Sequence, residues 1–183
     1  MPAYYFDTSA LAKRYVVEVG SAWVQALVTQ QSGQTIYTSV LTQPELVSAL
    51  QRRVREGLLE ALEAERLAQQ VLEHMTQSYA LAAITPSVIT QACTVLHRHP
   101  MRAYDALHLA CALAVREAIA LQQLAGPVFV AADATLLAAA AAEGFPGRVR
   151  ELDFHPQKVT TPEPTAEKYE RSEHAQNQAS IVK

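Results

Sequence analysis

Short apolar runs of three to six residues alternate along the chain with longer stretches in which apolar residues recur every three or four positions. The first pattern belongs to buried strands and the second to one face of a helix. Ala3-Tyr4-Tyr5-Phe6 reads as a strand stopping at Asp7, and Thr35 to Val40, β-branched and aromatic, as a second. Leu81 to Thr85 and Val128-Phe129-Val130 follow, and Val149 to Leu152 supplies a last edge strand. Helices are predicted from Ala10 to Val17 and from Trp23 to Val28. A third begins at Thr42, as its cap, with Pro44 in the first turn. Beyond Gly57, Ala64, Leu67, Ala68, Val71, Leu72, Met75 and Tyr79 form one apolar stripe at helical spacing. Pro86 starts a helix toward His97. The next, Ala106 to Leu121, is apolar nearly all round and therefore central. Leu136 to Glu143, closed by Gly144, is the last.

Strands that alternate with helices in this way predict an α/β protein, with a parallel sheet of four to five strands covered on both faces. The chain of 183 residues is half apolar, enough for one substantial core, and residues 1–154 form that domain. From His155 the sequence turns polar and proline-punctuated, so 155–183 is expected to be a disordered tail.

Composition narrows the setting. No apolar run approaches the ~20 residues of a membrane span. The start, Met1-Pro2-Ala3-Tyr4, lacks a signal peptide's basic and apolar segments. Cys93 and Cys111 both fall in helical segments, so the expectation is a cytoplasmic protein with reduced thiols. Residues 1–154 carry 11 Lys and Arg against 14 Asp and Glu, whereas the tail carries four of each. A bound divalent cation or two would bring that acidic core to about neutral. The cations are grouped as Lys13-Arg14, Arg52-Arg53-Arg55, Arg98-Arg102 and Arg148-Arg150. Groups of this kind usually form a solvated face; several on one side of a crevice would grip a phosphate backbone.

Four acids are placed where such a fold gathers its chemistry: Asp7, Glu45, Asp105 and Asp133. Each has a purely structural reading. Asp7 and Asp133 suit helix N-caps, while Glu45 and Asp105 suit first turns, where the helix dipole favours a carboxylate. Together they point further. Their separations of 38, 60 and 28 residues fit successive units of one sheet, whose strands deliver side chains to a single crevice at their carboxyl ends. Carboxylates crowded there repel one another unless a cation neutralises them, and an all-oxygen set suits Mg²⁺ or Mn²⁺. Asp7 and Asp105 are the leading metal ligands. Glu45 and Asp133 complete the set, one of them orienting the nucleophile, and Ser9 or Thr8 supports a carboxylate or the scissile phosphate. His108, one turn beyond Asp105, reads first as a hydrogen-bonded core histidine, with contact to the site as the alternative. His97 and His99 lack the further ligands of a zinc centre. No phosphate-binding glycine loop, dinucleotide fingerprint or serine-nucleophile elbow is present.

Four blocks carry a resemblance: Asp7 to Tyr15, Pro44 to Leu50, Tyr104 to Ala110, and Ala132 to Leu137. In this order they resemble PIN-domain ribonucleases, most closely the VapC-type toxins of bacterial toxin–antitoxin pairs, over about residues 3–153. The resemblance implies a three-layer α/β/α fold and Mg²⁺- or Mn²⁺-dependent endonucleolytic cleavage of RNA. It also implies a homodimer, and inhibition by a small antitoxin that inserts a segment near the acids. The sequence departs from the family pattern at Ala131, where Ser or Thr is frequent. Two other readings stay open: an RNA-processing nuclease of the same fold without an antitoxin, and a catalytically inactive binding module.

Overall fold

Four parallel strands run side by side in the order β3-β2-β1-β4 in a computed structural model, which describes residues 2–29 and 33–145. In chain order the elements are β1 (Ala3–Phe6), α1 (Thr8–Leu11) running on into a 3₁₀ turn (Ala12–Arg14), α2 (Ser21–Thr29), β2 (Thr35–Ser39), α3 (Thr42–Arg55) and α4 (Ala61–Gln77). Then come β3 (Ala80–Ala82), α5 (Pro86–Arg98), α6 (Ala103–Leu121), β4 (Val128–Val130) and α7 (Ala134–Ala142). Tyr4 is in register with Ile36 on one side and Val128 on the other, so β1 is an inner strand.

The two-residue period of β1 divides the core. Tyr5 packs with Phe129 and the apolar residues of α5, α6 and α7. Phe6 faces the opposite layer with Leu11, Val24, Leu46, Val71 and Met75. Two helical layers therefore enclose the sheet, which is the expected three-layer α/β/α arrangement. Tyr5 stacks on Phe129 with ring centroids 5.6 Å apart, and Phe6 stacks on Trp23 at 6.4 Å. Trp23 is thus a core anchor. In α6, Leu109, Ala110, Cys111 and Ala112 are all fully buried, as its uniform apolarity requires. Cys93 and Cys111 are free thiols.

Several local expectations are corrected. Thr42 does not cap α3: the cap position is Leu41, and the Thr42 hydroxyl turns inward to Thr38 at 2.7 Å. The first helix starts earlier and tightens into a 3₁₀ turn by Ala12, because the Asp7 carboxylate caps it from the strand end. The third strand is Ala80–Ala82 rather than Leu81 to Thr85, since Thr85 is already the N-cap of α5 through the Val88 N–H. Leu72 leaves the α4 stripe and is exposed, while Ala64, Leu67, Val71 and Met75 are buried. Gly57 sits between α3 and α4 with φ +71°, a conformation that costs a residue with a Cβ. The predicted strand at Val149 to Leu152, Arg148-Arg150 and the tail 155–183 lie outside the described residues.

Candidate active site

The chain fills β1, β2 and β3 in one direction and then crosses back to place β4 on the other side of β1. In open parallel sheets the crevice at such a reversal, beyond the carboxyl ends of the strands, is where ligands bind. A cavity of about 650 Å³ opens there, lined by Asp7, Glu45, Asp105 and His108, with Thr8 and Ser9 between them.

Asp7 ends β1 and caps α1. Its Oδ1 accepts from Ser9 Oγ at 2.9 Å and Ala10 N at 3.1 Å; its Oδ2 accepts from Ser9 N at 3.1 Å. The residue is 4 % exposed, and burial raises its carboxyl pKa against the opposing pull of His108 and the Ser9 and Ala10 donors. Desolvation wins even against three hydrogen bonds. Ser9 does a second job: its Oγ accepts from Ala132 N at 2.9 Å, tying the loop after β4 to the Asp7 carboxylate.

Asp105 occupies the third position of α6 and accepts from the Arg102 backbone N–H, closing the helix start from within. Burial raises its pKa, and the nearby charge of Asp133 adds to the rise, while Arg102 and His108 oppose it. Glu45 lies in the first turn of α3. Burial disfavours its charge as well, but hydrogen bonds from His108 and Thr8, with the field of His108, together outweigh that penalty and lower its pKa. His108 Nε2 stands 2.8 Å from Glu45 Oε2, and Thr8 Oγ1 donates to the same oxygen. Neighbouring carboxylates are therefore held in opposite states of readiness, two resisting ionisation and one favouring it.

Asp133 is placed differently. It is exposed, it caps α7 through Leu136 N at 2.8 Å, and it does not line the cavity; it meets the other acids through its field on Asp105. Three of the four predicted acids and Ser9 thus share one cavity, with the fourth at its margin. As placed, no three carboxylate, imidazole or thiol groups among the described residues stand close enough to hold an ion. By donor chemistry, the carboxylates of Asp7, Glu45 and Asp105 nevertheless fit a hard divalent cation, and no thiolate competes.

Cations border the acids. Lys13, Arg52, Arg53 and Arg102 line the same cavity, together with Tyr104. Lys13 is 8 % exposed and donates to the Val19 carbonyl at 2.9 Å; Glu18 pairs with both Lys13 and Arg53. The remaining predicted histidine pair is structural at one member, where His99 Nε2 meets Glu143 at 2.8 Å. Sequence reasoning missed Tyr104 and Glu18, which stand beside recognised positions with no pattern of their own. It also missed that His108 does both things weighed for it, being 2 % exposed and bonded to Glu45.

Comparison with known proteins locates the chain. The PIN domain family model matches residues 4–122, a span that holds Asp7, Glu45 and Asp105 and ends before Asp133. Two Mycobacterium tuberculosis proteins, Ribonuclease VapC45 and Ribonuclease VapC49, are each 33 % identical over 115 residues, covering 63 % of this chain and 78 % of theirs. Among solved structures, M. tuberculosis VapC20, described as a sarcin–ricin-loop-cleaving toxin, aligns with TM-score 0.55 at 19 % identity, over 80 % of this chain and 98 % of that one. Pyrobaculum aerophilum PAE2754 aligns with TM-score 0.51 at 22 % identity, over 75 % and 84 %. At these identities the two structures speak for the fold alone.

Proposed function

The chain belongs to the PIN domain family, and on that premise we propose that it is a divalent-metal-dependent endoribonuclease acting as the toxin of a toxin–antitoxin pair. It is a VapC-type ribonuclease, a hydrolase acting on RNA phosphodiester bonds. The single observation that carries the site assignment is the convergence of Asp7, Glu45 and Asp105 on one cavity at the carboxyl edge of the sheet.

Mg²⁺ or Mn²⁺ is the metal the donor set favours, held by Asp7, Asp105 and Glu45 with Asp133 as the fourth acid. When bound, such an ion polarises the scissile phosphate and lowers the pKa of water beside it. The protein's own groups do the rest. Ser9 fixes the Asp7 carboxylate by hydrogen bonding to it. Glu45, kept ionised by His108 and Thr8, would hold the metal or orient the attacking water with its remaining oxygen. Arg52 and Arg102 draw the RNA backbone over the acids, and Lys13 and Arg53, both paired with Glu18, add their field, offsetting an overall charge of −3 that would repel it.

A small cognate antitoxin is the proposed inhibitor, its inserted segment competing for these cations. A homodimer is proposed through the α3–α4 hairpin, where Leu58 and Leu62 are 66 % and 78 % exposed. Among the described residues no helix is long and apolar enough to cross a membrane, and the cytoplasm is the proposed compartment.

Induced expression in a bacterial host, following growth and total RNA together, tests the toxin role. Growth arrest with discrete RNA fragments, relieved by co-expression of the neighbouring small open reading frame, is the expected result. Normal growth with intact RNA would overturn it.

A further inference from the structure

We infer that His108 is a positioning residue for the hydrolytic site: it binds one oxygen of Glu45 so that the other is presented to the metal. This rests on the ribonuclease reading above and deepens it, giving His108 a geometric role beyond its effect on the charge of Glu45.

His108 is 2 % exposed and projects from the second turn of the most deeply buried helix. Both ring nitrogens are engaged. Nε2 lies 2.8 Å from Glu45 Oε2, and Nδ1 lies 3.4 Å from the hydroxyl of Tyr5, whose ring meets the imidazole edge-on with centroids 6.4 Å apart. The direction of these bonds follows from proton bookkeeping. Tyr5 is fully buried on the inner strand and remains a phenol, so it can donate to Nδ1. Cys111 is a second neighbour of the Tyr5 hydroxyl, while its own thiol donates to Ser39 Oγ at 3.7 Å. An ionised Glu45 can only accept, so at 2.8 Å it is Nε2 that donates its proton to the carboxylate.

Thr8 works from the other side. Thr38 donates to the Phe6 carbonyl at 2.8 Å, so the bond between Thr38 and Thr42 takes the Thr42 proton. The Thr8 proton goes to Glu45 Oε2. Two donors therefore converge on one oxygen of one carboxylate. Oε1 has no hydrogen-bond partner among the described residues and is not sealed from the cavity. A carboxylate held this way keeps one oxygen fixed and offers the other, the arrangement that orienting partners give to metal-binding side chains.

A merely space-filling histidine would do none of this, and substitution separates the two roles. His108→Leu fills a similar volume without a donor. His108→Gln puts an amide N–H where Nε2 stands, and His108→Asn puts one only at the shorter reach of Nδ1. Each is to be measured for thermal unfolding, for Mn²⁺ affinity by calorimetry, and for RNA cleavage as separate kcat and KM. The expected result is Mn²⁺ binding weaker by about 10–100-fold in the Leu and Asn variants, with kcat reduced and KM for RNA unchanged. Gln should recover most of both losses. In the metal-free protein, ¹⁵N imidazole spectra should show His108 protonated on Nε2.

If His108→Leu does not fold, the comparison of Gln with Asn decides the matter. Mn²⁺ affinity equal to that of the parent in the Leu variant, or equal impairment in Gln and Asn, overturns the inference while the ribonuclease reading stands. An Nε2 without a proton overturns it as well. A parent protein that neither binds Mn²⁺ nor cuts RNA overturns the ribonuclease reading, and the inference with it.

Discussion

Ser9 and Ala132 are 123 positions apart in sequence, yet a hydrogen bond of 2.9 Å from the Ala132 N–H to the Ser9 hydroxyl joins them. The same hydroxyl donates to Asp7 at 2.9 Å. One side chain thereby couples the carboxyl end of β1 to the loop after β4, across the reversal in strand order. It fixes the spacing between the buried acid and the loop that carries Asp133.

Ser9→Ala removes that coupling without adding bulk. The expected loss of stability is about 1 kcal/mol, the net worth of a hydrogen bond with one group left unpaired. Cleavage should fall by roughly 10-fold or more through kcat, because Asp7 loses a donor that fixes its rotamer. Thermal unfolding and steady-state kinetics on one preparation check both numbers. A loss confined to stability would make Ser9 a structural strut only.

The strand-to-acid junctions were legible because local chemistry and global position agree there. Asp7 directly follows an apolar run, and Asp133 both follows a strand and caps a helix, so a two-residue period and a capping preference mark them. The layers followed from the same periodicity, Tyr5 on one face and Phe6 on the other. What stayed hidden depends on directions that sequence does not encode. Thr42 looked like a cap, but a buried hydroxyl partner, Thr38, outbid the helix N-terminus. His108 carried no spacing that distinguishes a core histidine from one aimed at Glu45. Whether Lys13, Arg52, Arg53 and Arg102 share a side was a question about three separate helix starts and ends, answered only by the fold.

The acids set a pH dependence with a definite sign. Asp7 and Asp105 have pKa values raised by burial, so without metal the folded state binds more protons than the unfolded chain between the ordinary carboxyl range and the raised values. Their contribution is unfavourable at neutral pH and is relieved as pH falls through the raised values. The stability of the metal-free parent relative to Asp7→Asn should therefore increase as pH is lowered from 7 toward 5. Mn²⁺ affinity should weaken over the same range, because proton and metal compete for the same oxygens. Chemical denaturation and calorimetry at a series of pH values give both trends. A relative stability that falls on acidification would show that Asp7 is not a buried, desolvated carboxylate.

Arg52 lines the cavity, and no ion pair engages it among the described residues, whereas Arg53 is paired with Glu18. If Arg52 meets the RNA backbone, Arg52→Ala raises KM and leaves kcat nearly unchanged. The slope of log affinity against log salt should drop by about 0.7, the value for one phosphate contact on a single strand. Binding to a catalytically inactive variant at several salt concentrations provides the measurement. An unchanged slope would place the strand elsewhere.

Phe129 holds the face of the sheet opposite the α3–α4 hairpin, stacked on Tyr5 and packed against Phe145 with centroids 5.4 Å apart. Phe129→Ala should cost about 3–5 kcal/mol through loss of burial and the cavity left behind. Because Tyr5 then loses its stacking partner beneath His108, cleavage should fall as well. Denaturant midpoints at unchanged slope, with activity assayed well below the transition, distinguish this from partial unfolding.

The central claim, that Asp7 belongs to a metal-dependent ribonuclease centre, is tested most directly by incubating the purified parent and Asp7→Asn with total RNA, each with Mg²⁺ and with chelator. Discrete fragments are predicted only from the parent with Mg²⁺, while both proteins melt cooperatively. Cleavage by Asp7→Asn at the parent's rate, or by the parent in chelator, would contradict the account.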